Sequence, residues 1–474
     1  MMVEVELKFQ IPEARRNALL KALDAKKSQI IPLKAKYYDT QDGLLSQHGV
    51  ALRQRLEGTR WVQTLKAAGK SHVHRFEHNY DLGELQDAPE LDLSIYTEHA
   101  EAEQILKHAL GDSHAELKLQ FETDIQRTFR VMHFEDTEIE VSLDVGEVRT
   151  ATAQHAMHEV EFELKSGSVH SLLAFSFEWV KKYQLWLDVR SKAEIGHLLA
   201  RQQTVSPASM CKEFTLSKKD AANKNLRLLI AQQLQHLLPN IAAISAQVAE
   251  KEHIQQAQLA LEHLHLTLLL FKDWNAAIAD KWAMQIGAFK QQFEHLQHLE
   301  HMQNTLGKFL QNPNTAANLS RDILYAKEKL SHLVRSTQNV HHYLELLMFS
   351  LAQDDAAQTH DLKWFAQNTL QNQYKKLQDS LVAAEITDFE SLDKLVSNIH
   401  ELKFSFAILT SIYDVKNLQK YSKALNDAQL AASEYQILAS SANYIQQTEL
   451  EASDWFVLGW LTAKQEVYAQ SLRE

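Results

Sequence analysis

The sequence predicts an α+β protein in two parts, an N-terminal antiparallel β-barrel tunnel followed by an all-α helical bundle. Three observations carry this. Charged and apolar side chains alternate at two-residue spacing in several separate segments of the first part, nine of the 12 glycines lie there, and the second part repeats Leu, Ile, Phe and Ala every three or four residues. The composition break sets domains at 1–201 and 217–474, with 202–216 as a linker around Pro207, where smooth helix continuation is forbidden.

The first strand is Val3–Phe9, with Glu4, Glu6 and Lys8 on one face and Val3, Val5, Leu7 and Phe9 on the other. Arg53 and Arg55 alternate in the same way with Leu52, Gln54 and Leu56. Glu140 and Asp144 likewise alternate with Ile139, Val141, Leu143 and Val145. Glu159, Glu161, Glu163 and Lys165 then alternate with Val160, Phe162 and Leu164. Helical spacing over Glu98–Leu110 and Ser171–Lys182 predicts two helices covering the apolar outside of the barrel. Beyond the linker, the expected helical segments are Ala221–Leu238, Ile241–Asp273, Trp282–Leu310, Ser320–Ala352, Leu362–Ala384 and Ser391–Tyr413, with Pro239 and Pro313 in the gaps.

Strands that share a charged side, acidic in some and basic in others, make sense when that side lines a closed lumen. A lumen with carboxylates facing arginines and lysines suits a polyanion chelated by a divalent metal, because hard carboxylate oxygens hold Mg²⁺ or Mn²⁺ and cationic side chains hold phosphate. The formal net charge of −12 argues against a general nucleic-acid binder. A single cysteine, Cys211, excludes an internal disulfide framework. The N-terminus enters a charged strand without a signal-peptide pattern, and Leu264–Phe271 is too short to span a bilayer, so a cytoplasmic protein with no membrane contact is expected.

The first part resembles the CYTH domain of the triphosphate tunnel metalloenzyme family. The resemblance rests on Glu4-x-Glu6-x-Lys8, on Tyr37-Tyr38-Asp39-Thr40 with Leu44, on Arg53-x-Arg55, and on Lys66 followed by Arg75 and Glu77. It continues through Phe121–Arg130, Asp144-x-Gly146, Glu159-x-Glu161-x-Glu163 and Ser191–Glu194. It implies a metal held by Glu4, Glu6, Asp144, Glu159, Glu161 and Glu163, and phosphates held by Lys8, Arg53, Arg55, Lys66, Arg75, Arg130, Lys165 and Lys192. Within that set Lys8, Arg53, Arg55, Lys66 and Lys192 are expected to act in catalysis, with Lys192 sealing the tunnel. His72, His74 and His78 flank Arg75 and Glu77 and are weaker candidates for touching substrate.

Residues 215–474 resemble a CHAD domain, the helical module that often follows CYTH. Aligning its first basic helix puts Gln255, Gln258 and Glu262 where histidine and arginine are expected, with His263 and His265 at later basic positions. Its second offers Asp393, Val396, His400, Glu401 and Lys403. This part holds four arginines and 19 lysines against 28 acids, so weak or no polyphosphate binding and a protein-docking or scaffold role are expected. The pairing resembles bacterial inorganic triphosphatases, implying metal-dependent hydrolysis of inorganic triphosphate to diphosphate and phosphate. The alternatives are a triphosphate- or polyphosphate-binding module without turnover, and a relative acting on thiamine triphosphate or another organic triphosphate.

Overall fold

The computed structural model describes residues 3–71, 74–111, 116–214, 216–272, 278, 280–352, 361–384, 388–412 and 418–473. Among the described residues nine strands form one antiparallel sheet: β1 (Val3–Gln10), β2 (Gln29–Asp39), β3 (Val50–Glu57), β4 (Arg60–Ser71), β5 (His74–Glu84), β6 (Lys118–Phe134), β7 (Thr137–Arg149), β8 (Gln154–Ser166) and the short β9 (Trp186–Leu187). Their order is β5-β4-β3-β2-β6-β7-β8-β1-β9, and a β5–β1 pairing closes the first eight into a barrel. Closure leaves no free edge among those eight strands, and the two-residue alternation sorts every side chain into lumen or exterior.

The exterior is buried as the apolar half of each strand requires. The first helices in the chain are α1 (Arg16–Leu23), α2 (Leu44–Gln47) and α3 (Ala100–Leu110); Val50, Leu52 and Leu65 pack with Leu45 of α2 against Ala102, Leu106 and Ala109 of α3. Phe9 and Phe162 meet Phe175 and Trp179 of α4 (Val169–Tyr183) through a chain of ring contacts. One end of the lumen is apolar: Tyr37, Phe121, Ile125, Val148 and Met157 line it, and α5 (Lys192–Ala200) packs onto them through Ala193, Ile195 and Leu199.

The helices that follow are α6 (Ala222–Ser245), α7 (Lys251–Phe271), α8 (Asp280–Leu306), α9 (Pro313–Val334), α10 (Thr337–Leu351), α11 (Leu362–Ala383), α12 (Phe389–Leu409), α13 (Leu418–Gln446) and α14 (Ala452–Arg473). Two expectations are corrected. Pro239 lies inside α6 and not in a gap; that helix ends later, and Gln247 takes a left-handed φ of 61°. The expected Ser320–Ala352 segment is two helices, because the Ser336 side chain accepts from Asn339 N and caps a new start. Pro313 opens α9, where its missing N–H costs nothing.

The chain divides into two compact units. The first is Met1–Ser209 with Leu238–His253 and Leu333–Ala352, so the barrel unit includes α10 and the end of α6. In it, α10 lies along α4, with His341 Nε2 donating to Phe177 O at 3.3 Å, and Arg335 stacks 5.2 Å from the Trp186 ring. Asn240 exchanges two 3.0 Å hydrogen bonds with the Ser209 backbone. The second unit is Met210–Leu237, Ile254–His332 and Gln353–Glu474. Its core includes Leu392, Leu395, Val396 and Ile399 of α12 packed on Ala432 and Tyr435 of α13 and on Ala469 and Leu472 of α14. Among the described residues no helix is long and apolar enough to cross a membrane.

Candidate active site

The lumen face of each strand follows from register. Lys8 of β1 stands opposite Glu161 of β8, and Glu6 opposite Glu163. Across the next pair, Asp144 of β7 faces Glu159 of β8 and Arg127 of β6. Gly146 continues β7, and a Cβ there would lie 2.1 Å from Asp124 O; glycine is what lets β6 and β7 approach closely beside Asp144.

The charges fall into three groups. In the deepest, the carboxylate oxygens of Asp144, Glu159 and Glu161 lie within 4.8 Å of one another, the single such group of three or more metal-ligating residue types among the described residues. Arg127 grips Asp144 with two 2.7 Å hydrogen bonds and Glu161 with one of 2.5 Å. Lys192 Nζ lies 2.9 Å from Asp144, 2.6 Å from Glu161 and in contact with Glu159, while Lys8 Nζ is 3.4 Å from Glu159. The second group joins Lys66 to Glu4 and Glu77, both at 2.7 Å, and Arg75 to Glu6 at 2.7 Å. Arg53 donates to Tyr37 OH at 3.4 Å and lies 3.9 Å from Glu77. The third, nearer solvent, sets Lys165 2.8 Å from Glu163 and 3.5 Å from Glu140.

Electrostatics separate these carboxyls. Burial opposes ionisation of Glu161 and Asp144, but Lys192 and Arg127 outweigh it and hold both below the usual range, Glu161 far below. Glu159 moves the other way: burial dominates over Lys192 and Lys8 and raises it. Burial, reinforced by Glu6 and Glu77, pushes Glu4 up to about 8 against the pull of Lys66. Neither Glu159 oxygen has hydrogen-bond geometry to any partner despite the two nearby ammonium groups, and both are fully buried. Such a carboxylate, beside two more, fits a hard divalent cation.

Not every expected residue joins one cluster. Glu4 and Glu6 stand with lysine and arginine in the second group, and Glu163 with Lys165 in the third, so the six carboxylates do not form one ligand set. Arg55 is on the lumen face and hydrogen-bonds Glu57 at 2.7 Å. Arg130 is corrected: it faces Val141 across the ladder, three residues from Arg127 and therefore on the opposite side of the strand, outside the lumen. Arg127 is the residue sequence reasoning missed. With Phe134 opposite Thr137 at the hairpin, counting back along both strands pairs Arg127 with Asp144, a signal available only once the turn is placed. His78 is on the exterior, its ring 3.9 Å from His99 and 5.7 Å from Tyr96; His74, opposite Val5, shares that side, and His72 lies outside the described residues.

On α7 and α12 the expected basic helices are not strongly cationic. Burial pushes His263 and His400 down to about 4 and raises Glu262 and Glu401. Both imidazoles are neutral at pH 7.

The CYTH domain family matches residues 2–195. The inorganic triphosphatase of Haemophilus influenzae is 33% identical over 171 residues, 35% of this chain and 46% of that protein, so the match spans about half of that relative's length. The CHAD domain of the plant Ricinus communis is similar with a TM-score of 0.48 at 14% identity, over 56% of this chain and 94% of that one. A Hippeastrum adenylyl cyclase-type protein with a dominant triphosphatase activity has a TM-score of 0.29 at 14% identity, over 43% of this chain and 97% of that one.

Proposed function

We propose, on the premise that residues 2–195 are a CYTH domain, that the barrel hydrolyses inorganic triphosphate to diphosphate and phosphate with Mg²⁺ or Mn²⁺. The observation that carries the reading is the Asp144–Glu159–Glu161 trio sharing a lumen with Arg53, Lys66, Arg75 and Arg127. A divalent cation held by the trio would neutralise phosphate oxygens as charge builds on them. Arg53, Arg55, Lys66 and Arg75 bind and orient the polyphosphate chain, a task suited to in-line attack, where catalysis is mostly positioning and charge stabilisation. Lys8, 3.4 Å from Glu159, orients the attacking water with that carboxylate. The water oxygen bonds to the terminal phosphorus, the bridging P–O bond breaks with its electron pair leaving on diphosphate, and the water proton passes to a lumen carboxylate.

The test is orthophosphate release from inorganic triphosphate, thiamine triphosphate, ATP and longer polyphosphate, each with Mg²⁺, Mn²⁺ or EDTA. Inorganic triphosphate should give the highest kcat/KM, EDTA should abolish turnover, and Glu161→Gln should lower kcat/KM by at least about 100-fold. Unchanged turnover in EDTA overturns the metal reading. Saturable triphosphate binding with no turnover on any substrate identifies a binding module instead.

The helical region is proposed as a scaffold or partner-docking unit with little affinity for polyphosphate, because the positions where a CHAD-like surface needs histidine, arginine or another basic residue carry Gln255, Gln258, Glu262, Asp393 and Glu401. Full-length protein, its tunnel saturated with tripolyphosphate, should show negligible retention of long-chain polyphosphate near physiological salt. Sub-micromolar binding under that block is the contrary result.

A further inference from the structure

Lys192 begins α5, the helix seated on the apolar end of the lumen. Its placement is built rather than incidental. The Ser191 hydroxyl accepts from Glu194 N at 3.0 Å and caps the helix start. Gly196 lets the helix sit directly on Phe121, since a Cβ there would come within 2.1 Å of that ring. The His197 ring packs edge-on against Phe121 at 5.0 Å, and Arg201 donates to Ser46 Oγ at 2.6 Å. Held at those points, α5 aims one ammonium at all three carboxylates of the trio.

We propose that the Lys192 ammonium is the built-in counter-ion of the Asp144–Glu159–Glu161 site, so that a divalent cation must displace it, and that the displaced side chain becomes a phosphate ligand. An ammonium among three buried carboxylates removes the repulsion that would otherwise strain the metal-free barrel. It also makes metal binding an exchange of one cation for another. Because Lys192 sits at the first turn of α5 with its Nζ already among the lumen carboxylates, rotation of its side chain would carry Nζ from the trio toward bound phosphate without moving the helix. Metal entry and completion of the cationic phosphate site are therefore one event, and metal should add before triphosphate. The inference rests on the metal reading above and concerns how that site is filled, not whether it is.

The test is Mn²⁺ binding to substrate-free protein, read by electron paramagnetic resonance of the free ion. Lys192→Met should bind Mn²⁺ at least tenfold more tightly than wild type, and Glu161→Gln should bind it more weakly. In the wild-type protein, where folding of a variant is not at issue, saturating Mn²⁺ should increase acetylation of Lys192 by acetic anhydride several-fold relative to other lysines, read by peptide mass spectrometry. If Lys192→Met binds no tighter, or Lys192 labelling is unchanged by Mn²⁺, while Glu161→Gln still weakens binding, the exchange is overturned and the metal site stands. If Glu161→Gln has no effect on Mn²⁺ binding, the metal reading itself fails and takes the exchange with it.

Discussion

Arg127 and Arg130 differ by three positions, which on a strand is the difference between lumen and exterior. Arg127 holds the fully buried Asp144 through two hydrogen bonds, and its removal leaves that carboxylate, among the described residues, with only the Lys192 ammonium. Arg127→Ala should therefore cost about 1.5–3 kcal/mol in chemical unfolding. It should also lower kcat/KM for triphosphate at least tenfold, or about 1.4 kcal/mol of transition-state stabilisation. Arg130→Ala should leave kcat/KM within about twofold of wild type, since it meets neither substrate nor the trio. Equal losses in the two variants would refute the assigned register. Glu77 belongs to the same lesson: it shares Lys66 with Glu4 and faces Arg53, so the arginines lie within a web of acids that holds their geometry before any phosphate arrives.

At the scale of one element, α5 carries a titration that can be read in stability. His197 packs on Phe121 and lies 3.8 Å from Asp39, yet burial, aided by Arg201, depresses it from 6.5 to about 4. Its folded pKa lies below the unfolded one, so the unfolded chain binds the extra proton between those values. The stability this neutral imidazole supports is present above pH 6.5 and is lost as pH falls toward 4. Thermal melts of wild type should show that loss, on the order of 1–3 kcal/mol, and His197→Gln should flatten it across the same window. An unaltered slope in the variant would mean that another group titrates there. Asp39 is occupied elsewhere, accepting from the backbone of Thr40, Leu45 and Ser46, which explains why it does not hold His197 in the charged form.

On the scale of the whole molecule, the barrel unit contains chain from far downstream. Val340, Leu344 and Leu347 of α10 are buried, and the helix lies along α4, while Arg335 covers Trp186. A chain ending at residue 201 loses these partners and exposes the face of α4 bearing Phe177. It should melt at least about 5 °C below the barrel transition of the full protein, because one to two kcal/mol shifts Tm by that order in a domain of this size. An equal Tm would mean that α10 contributes nothing to barrel stability.

The sequence by itself determined the alternation of charge and apolarity, and with it the barrel, its lumen face and most of its charged residues, because period two leaves only two sides and the apolar side must be buried. The helices were legible for the same reason at period 3.6, although Pro239 and the break at Ser336 were not, since packing tolerates a helix proline and a side-chain cap can end one helix and start the next. Tertiary structure alone decided which charges meet. Glu4 and Glu161 look equivalent as alternating acids, yet one is paired with Lys66 and the other gathered with Asp144, Glu159 and Lys192. That choice depends on hairpin register, on strand closure and on a helix seated by a glycine. All are long-range relations that burial and close packing select and that local pattern does not encode.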